Sequence, residues 1–172
     1  MSQTTVARRR SDGASHVDGP DPDSLTVRAV LLASEDREIP ISAIDLAARI
    51  AQRSGAPVHV FAIARVWGTS FGFPNPGLQP TKHEWDQQRH NIRKAIGRLE
   101  RKGVVADGRV IGTRAGAKRI VQEARRLGCD AIVMGADEPR HPLIRNFVWS
   151  QEPYRVKRRA RVPVFLVVDQ TA

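Results

Sequence analysis

The stretch Gly68-Thr69-Ser70-Phe71-Gly72 has the G-x-S-x-G pattern of a hydrolase nucleophile, with Ser70 at its centre. Such a serine works only on a sharp turn that runs directly into a helix. Pro74 and Pro76 follow and forbid that helix, so no nucleophile is assigned there. His83 and His90 are seven residues apart. On a helix they share a face but lie roughly 10 Å apart along the axis, too far to hold one ion. His59 sits in an apolar run and His141 stands alone in a loop. Cys129, the single cysteine, reads as a small buried apolar residue. It has no partner for an internal disulfide, which agrees with a reducing cytoplasm. The chain is therefore read as non-enzymatic and without a metal site.

A different chemistry is suggested by "IVMGADEPRHPLIRNFVWSQ", from Ile132 to Gln151. It begins as a buried strand and stops at Gly135, the point where many α/β proteins cradle a phosphate with backbone N–H groups. Glycine suits that task because no Cβ keeps the backbone from its ligand. Asp137 and Glu138 follow, however, and no second glycine appears before Ser150. Carboxylates there repel phosphate. Arg140, His141 and Arg145 could still bring positive charge to an anion. Ser150 could cap the next helix or meet an anion at its start.

Two basic clusters offer a third chemistry. Arg89, Arg93, Lys94, Arg98, Arg101 and Lys102 follow one face of a helix pattern, and Arg155, Lys157, Arg158, Arg159 and Arg161 crowd another. The whole chain of 172 residues carries a formal charge of +10. Residues 1–24 hold three arginines against four aspartates, which leaves +11 on the remainder. A domain this basic attracts polyanions at low salt, with or without a specific site. The plainer reading is solvated helix faces with cations near helix C-termini. No aromatic stacking pattern is interleaved with either cluster, which weakens single-strand nucleic-acid readout.

The elements that position these residues alternate regularly. Residues 1–24 are rich in Ser, Gly, Asp and Pro without apolar periodicity and read as a disordered tail, with one domain over 25–172. Strands are expected over Thr26–Ser34, Ala56–Val66, Val104–Thr113, Asp130–Gly135 and Val162–Asp169. Between them lie three amphipathic helices, ending near Gly55, Gly103 and Gly128, and a short last helix over Gln151–Ala160. Trp67–Thr81 is a long loop in which Trp67, Phe71 and Phe73 are candidate partner anchors. Apolar strands alternating with helices predict an α/β fold, a five-stranded parallel open sheet with helices on both faces. Ligands in such sheets sit at the C-terminal strand ends, here Ser34, Val66, Thr113 and Gly135. The longest apolar run, "VPVFLVV", suits a strand and not a membrane span. No apolar segment follows Arg8, Arg9 and Arg10 as an export signal requires, so a cytoplasmic location without membrane attachment is expected.

"RAVLLAS", "AARIAQRSGAPVHVFAI", "AKRIVQEARRLGCDAIVMG" and "RARVPVFLVV" together resemble the universal stress protein family over roughly Thr26 to Asp169. The resemblance implies the Rossmann-like strand order 3-2-1-4-5 and a homodimer through the last strand. Val164, Phe165, Leu166 and Val167 would then form the dimer interface, which also fits the need to cover an apolar edge. Nucleotide-binding members of the family follow their fourth strand with G-x2-G-x9-G-[ST], which wraps the phosphates and ribose of ATP. Laid on Gly135, the second glycine falls on Glu138 and the third on Val148, with Trp149 next. Two extra residues in the loop bring the last pair to Ser150 and Gln151. The family's nucleoside-contacting aspartate falls on Ser34. If nucleotide binding is retained, the contacts are Ser34, Gly135, Ser150 and Gln151, which the resemblance implies, together with Arg140 and Arg145, which their charge suggests, and only Gly135 keeps the motif.

The expectation is a stress-response-type domain acting as a homodimeric adaptor that has lost ATP binding and needs no cofactor. Its unknown protein partner would meet the basic helices or the Trp67–Pro80 loop. One alternative is a switch that binds an adenine nucleotide such as ATP through a variant loop. The other is a module for nucleic acid or another polyanion, carried by Arg155, Lys157, Arg158, Arg159 and Arg161.

Overall fold

The computed structural model describes residues 15–66, 80–137 and 152–169. Its strands are β1 (His16–Asp18), β2 (Val30–Glu35), β3 (Val58–Arg65), β4 (Ala106–Thr113), β5 (Ala131–Ala136) and β6 (Val164–Val168). Its helices are α1 (Ile41–Ser54), α2 (Lys82–Arg101), α3 (Gly116–Arg126) and α4 (Glu152–Arg159). The sheet order is β1-β6-β5-β2-β3-β4. Strands β2 to β6 are parallel, and β1 alone runs antiparallel, beside β6. Numbered without β1, that is the expected order 3-2-1-4-5.

The sequence accounts for most of this locally. α1 places Ala43, Ile44, Ala47, Ile50 and Ala51 inward at helical spacing. It ends at Gly55, whose φ of 61° is left-handed, a conformation that glycine adopts without the Cβ penalty. α2 starts with a capping box in which the Thr81 hydroxyl accepts from the Glu84 N–H and the Glu84 carboxylate returns to the Thr81 N–H. Every residue of β2, β5 and β6 is buried, as strands covered on both faces must be. One apolar layer packs α1 and α2 on Val30, Leu32, Val58, Val60, Val133, Phe165 and Val167. The other packs α3 and α4 on Leu31, Ala33, Phe61, Ile63, Ile132, Met134 and Leu166. No helix among the described residues is long and apolar enough to cross a membrane.

Three expectations need correction. The sheet has six strands and not five, because part of the presumed tail is structured. Residues 16–18 pair with Val168, Val167 and Leu166, and Pro22–Ser24 form a short 3-10 turn. The tail's acids hold this strap on the basic domain, Asp18 to Lys157 at 2.7 Å and Asp23 to Arg49 at 3.6 Å. Val164, Phe165, Leu166 and Val167 are buried in the two apolar layers, and β1 occupies the outer edge of their strand. Two copies pairing there would first have to displace or exchange β1. The third correction concerns β4. It was expected to be apolar throughout, yet Asp107, Gly108, Arg109 and Gly112 are exposed and the strand forms the other edge of the sheet.

Candidate functional site

Strand order reverses direction at β2, which has β3 on one side and β5 on the other. A crevice must open beyond the C-terminal ends of β2 and β5, and this is where an open α/β sheet takes ligands. The expected residues Ser34 and Gly135 both stand there. Arg140, Arg145, Ser150 and Gln151 lie outside the described residues, as do residues 67–79 with the anchors Trp67, Phe71 and Phe73.

Ser34 is buried, and its hydroxyl donates to the Arg37 carbonyl at 2.7 Å. It closes the turn after β2. Gly135 has a packing reason to be glycine. A Cβ there would sit 2.6 Å from Cγ and 2.7 Å from Cδ of Pro40, the residue that opens α1. The Pro40 ring therefore occupies the space where a side chain on residue 135 would lie. Around these two residues the described part of the crevice encloses no water-sized volume, about 0 Å3.

Asp137 does not stand as a bare repelling charge. Arg37 grips both its oxygens, at 2.7 and 3.2 Å, and the Tyr154 hydroxyl donates to its backbone carbonyl at 2.9 Å. That arrangement ties the turn after β2, the end of β5 and α4 together.

The sequence reading missed the most unusual group of the site. Glu35, the last residue of β2, is only 5% exposed, and neither carboxylate oxygen accepts a hydrogen bond among the described residues. It lies against the start of α3, where a Cβ on Gly116 would come within 2.7 Å of its carboxyl carbon. Among the described residues Arg65 is the cation paired with it, its Nε 3.9 Å from Oε1. Burial, reinforced by the charge of Glu152 and only partly offset by Arg65, pushes the Glu35 carboxyl up to about 7.

Glu152 itself is well held. Its carboxylate accepts from the Ala117 N–H at 2.9 Å and from Arg155 at 2.8 Å. α3 has no side-chain cap of its own at Ala115, so Glu152 caps it from across the fold. Two signals were present in the sequence: "RAVLLASE" carries an acid as the direct continuation of an apolar strand, and Glu152 precedes Pro153 at a helix start.

The basic cluster of α4 is split by the fold. Arg155 is paired to Glu152 and Lys157 to Asp18, whereas Arg158, Arg159 and Arg161 are exposed. Cys129 is buried, and that burial lifts its thiol up to about 12, away from the reactive thiolate form. Among the described residues no group of three His, Cys, Asp or Glu side chains is placed to hold a metal.

The fold has solved counterparts. A universal stress protein from Archaeoglobus fulgidus superposes with a TM-score of 0.62 at 17% identity, covering 81% of this chain and 97% of the other. A protein of the universal stress protein family from Burkholderia pseudomallei gives 0.58 at 21%, covering 81% and 94%. A universal stress protein solved in complex with cAMP gives 0.62 at 20%, covering 85% and 100%. At these identities the likeness concerns the fold. No curated protein matches the sequence. The universal stress protein family matches residues 26–168, which is nearly the whole described domain. The chain is a member of the universal stress protein family.

Proposed function

We propose that this protein is a non-enzymatic adaptor of the universal stress protein family whose strand-end crevice no longer takes ATP. The observation that carries this reading is the Pro40 ring lodged on Gly135. The one glycine left of the nucleotide motif is used for packing a proline, not for approaching a phosphate. Glu35, on the wall of the same crevice, supports it, since its buried carboxyl offers a phosphate no positive charge and repels one once ionised above about pH 7.

A switch using an adenine nucleotide is the second reading, favoured by the likeness in fold to a universal stress protein holding cAMP. Calorimetric titration with ATP and with cAMP separates the two, together with mass spectrometry of small molecules released from freshly purified protein. The adaptor reading expects no heat and no bound nucleotide. A stoichiometric adenine nucleotide that disappears in a Gly135→Val variant overturns it. The third reading, polyanion binding through Arg158, Arg159 and Arg161, expects retention of RNA that falls steeply as salt rises.

A further inference from the structure

The two edges of the sheet are treated differently. β1 covers β6, but no described element pairs with the outer side of β4. The carbonyls of Val105 and Thr113 are given to Val58 and Val66, so odd-numbered residues of β4 bond inward. By the two-residue alternation of a strand, the N–H and C=O groups of Ala106, Gly108, Val110 and Gly112 point away from the sheet. Such a row is a template for another strand. Val105, just before β4, is 76% exposed, so the approach to this edge is open.

Beside the edge, on the α2 face, lies a groove of about 440 Å3 walled by Trp85, Ile92, Ile96 and Val110, with Arg89 and Arg93 at its rim. Gly108 and Gly112 let the side chains of α2 come close to the strand beside this groove. Ile92 would lie 2.7 Å from a Cβ on Gly108, and Trp85 3.1 Å from one on Gly112. α2 therefore sits low over β4. A strand added to β4 would send alternate side chains onto this face, into the groove.

Charge decides the occupant. Arg93 is exposed and has no carboxylate partner among the described residues, and Arg89 shares Asp86 at 3.2 Å with both groups half in solvent. Two copies pairing edge to edge would bring their α2 helices and these arginines together, which like charges oppose. Stacking of a nucleobase is also poorly served, because the Arg89 guanidinium already lies over the Trp85 ring at 5.8 Å. We infer that the β4 edge and its groove dock an extended acidic segment of a partner protein as an added strand, one apolar side chain entering the groove and flanking carboxylates meeting Arg89 and Arg93. The partner's role rests on the adaptor reading, but the surface does not. ATP in the crevice would remove the first and leave the second standing.

The test uses the full chain and a displayed library of random linear peptides, with the selected peptides then synthesised. Enriched peptides are expected to place Asp or Glu two residues before and two residues after an apolar residue, so that all three side chains fall on the α2 face. On titration the amide signals of Ala106, Gly108, Val110 and Gly112 should shift and gain protection from exchange. Arg93→Glu should weaken binding about tenfold or more, the loss typical of an anchoring interface residue. N-methylating the peptide at the positions that face β4 should abolish binding, because it removes the ladder donors while keeping the side chains. Enrichment of basic or uncharged peptides, binding that survives N-methylation, or shifts confined to α4 would overturn the inference. So would protection of the edge amides by dimerisation or by an RNA oligonucleotide in place of peptide.

Discussion

Glu35 is the residue on which pH acts. Its carboxyl is shifted from 4.5 up to about 7 by burial first and Glu152 second. The folded protein thus holds a proton that the unfolded chain has released between those two values, and stability falls as pH rises through that window. A shift of this size corresponds to about 3 kcal/mol, fully present as a penalty only above pH 7. Glu35→Gln keeps the volume and removes the ionisation. Urea unfolding should show the variant more stable than the parent at pH 8 by up to about 3 kcal/mol, with the gap closing toward pH 5. A gap that stays the same at both pH values would mean that Glu35 is solvated or paired in the folded protein. Ser34, one residue earlier, is the residue the family resemblance selects, yet its hydroxyl is spent on the Arg37 carbonyl.

At the scale of elements, α3 depends on α4. The Ala117 N–H at the first turn of α3 is capped by Glu152, which also holds Arg155. Glu152→Ala should cost about 1 kcal/mol at pH 5, the usual loss for a helix cap, since a protonated Glu35 then feels no repulsion to relieve. At pH 8 the loss should be smaller, because removing Glu152 also removes the charge that opposes an ionised Glu35. An NMR titration should place the Glu35 carboxyl lower in the variant than in the parent. If it stays where it was, the two carboxylates are not coupled and the cap is the whole effect. α2 is coupled to α1 in a plainer way, through Arg98 gripping Asp45 at 2.8 Å twice, and to the turn before α1 through Lys94 meeting Glu38. Several of the helix-face cations that looked like a polyanion surface are thereby already neutralised, leaving the outer rim around Arg93 and Arg101 exposed.

For the whole molecule, the strap formed by residues 16–24 decides which surfaces are open. Gly19 lets it approach β6 closely, since a Cβ there would lie 2.8 Å from the Phe165 ring and 3.2 Å from the Val164 carbonyl. Asp18 then meets Lys157. Gly19→Val combined with Asp18→Lys should lift the strap and free an apolar edge for pairing between copies. Sedimentation should show the variant more self-associated than the parent, with the gain reduced when strand-length segments carrying the β1 sequence are added. A variant that sediments as the parent does would mean the edge stays covered without these two contacts. The same reasoning explains why β4 needs no such cover: its glycines and exposed charges make it a poor apolar aggregation edge while leaving its backbone groups available.

The sequence alone was enough for the order of the five parallel strands and four helices, because apolar period, capping residues and left-handed glycines are local. Gly55, the Thr81–Glu84 box and the apolar runs of β2, β5 and β6 each act within a few neighbours. With the family's motifs it also supported the sheet order and placed Ser34 and Gly135 at one crevice. How the described residues of the crevice are partnered was decided by packing between residues far apart in the chain. Pro40 comes to Gly135 from 95 positions away, and Glu152 comes to Ala117 and Glu35 only when α4 folds back on α3. The three-residue strand β1 was invisible for the same reason. His16, Val17 and Asp18 have no strand pattern of their own, and only the unpaired edge of β6 together with a basic surface gives an acidic segment a place to lie.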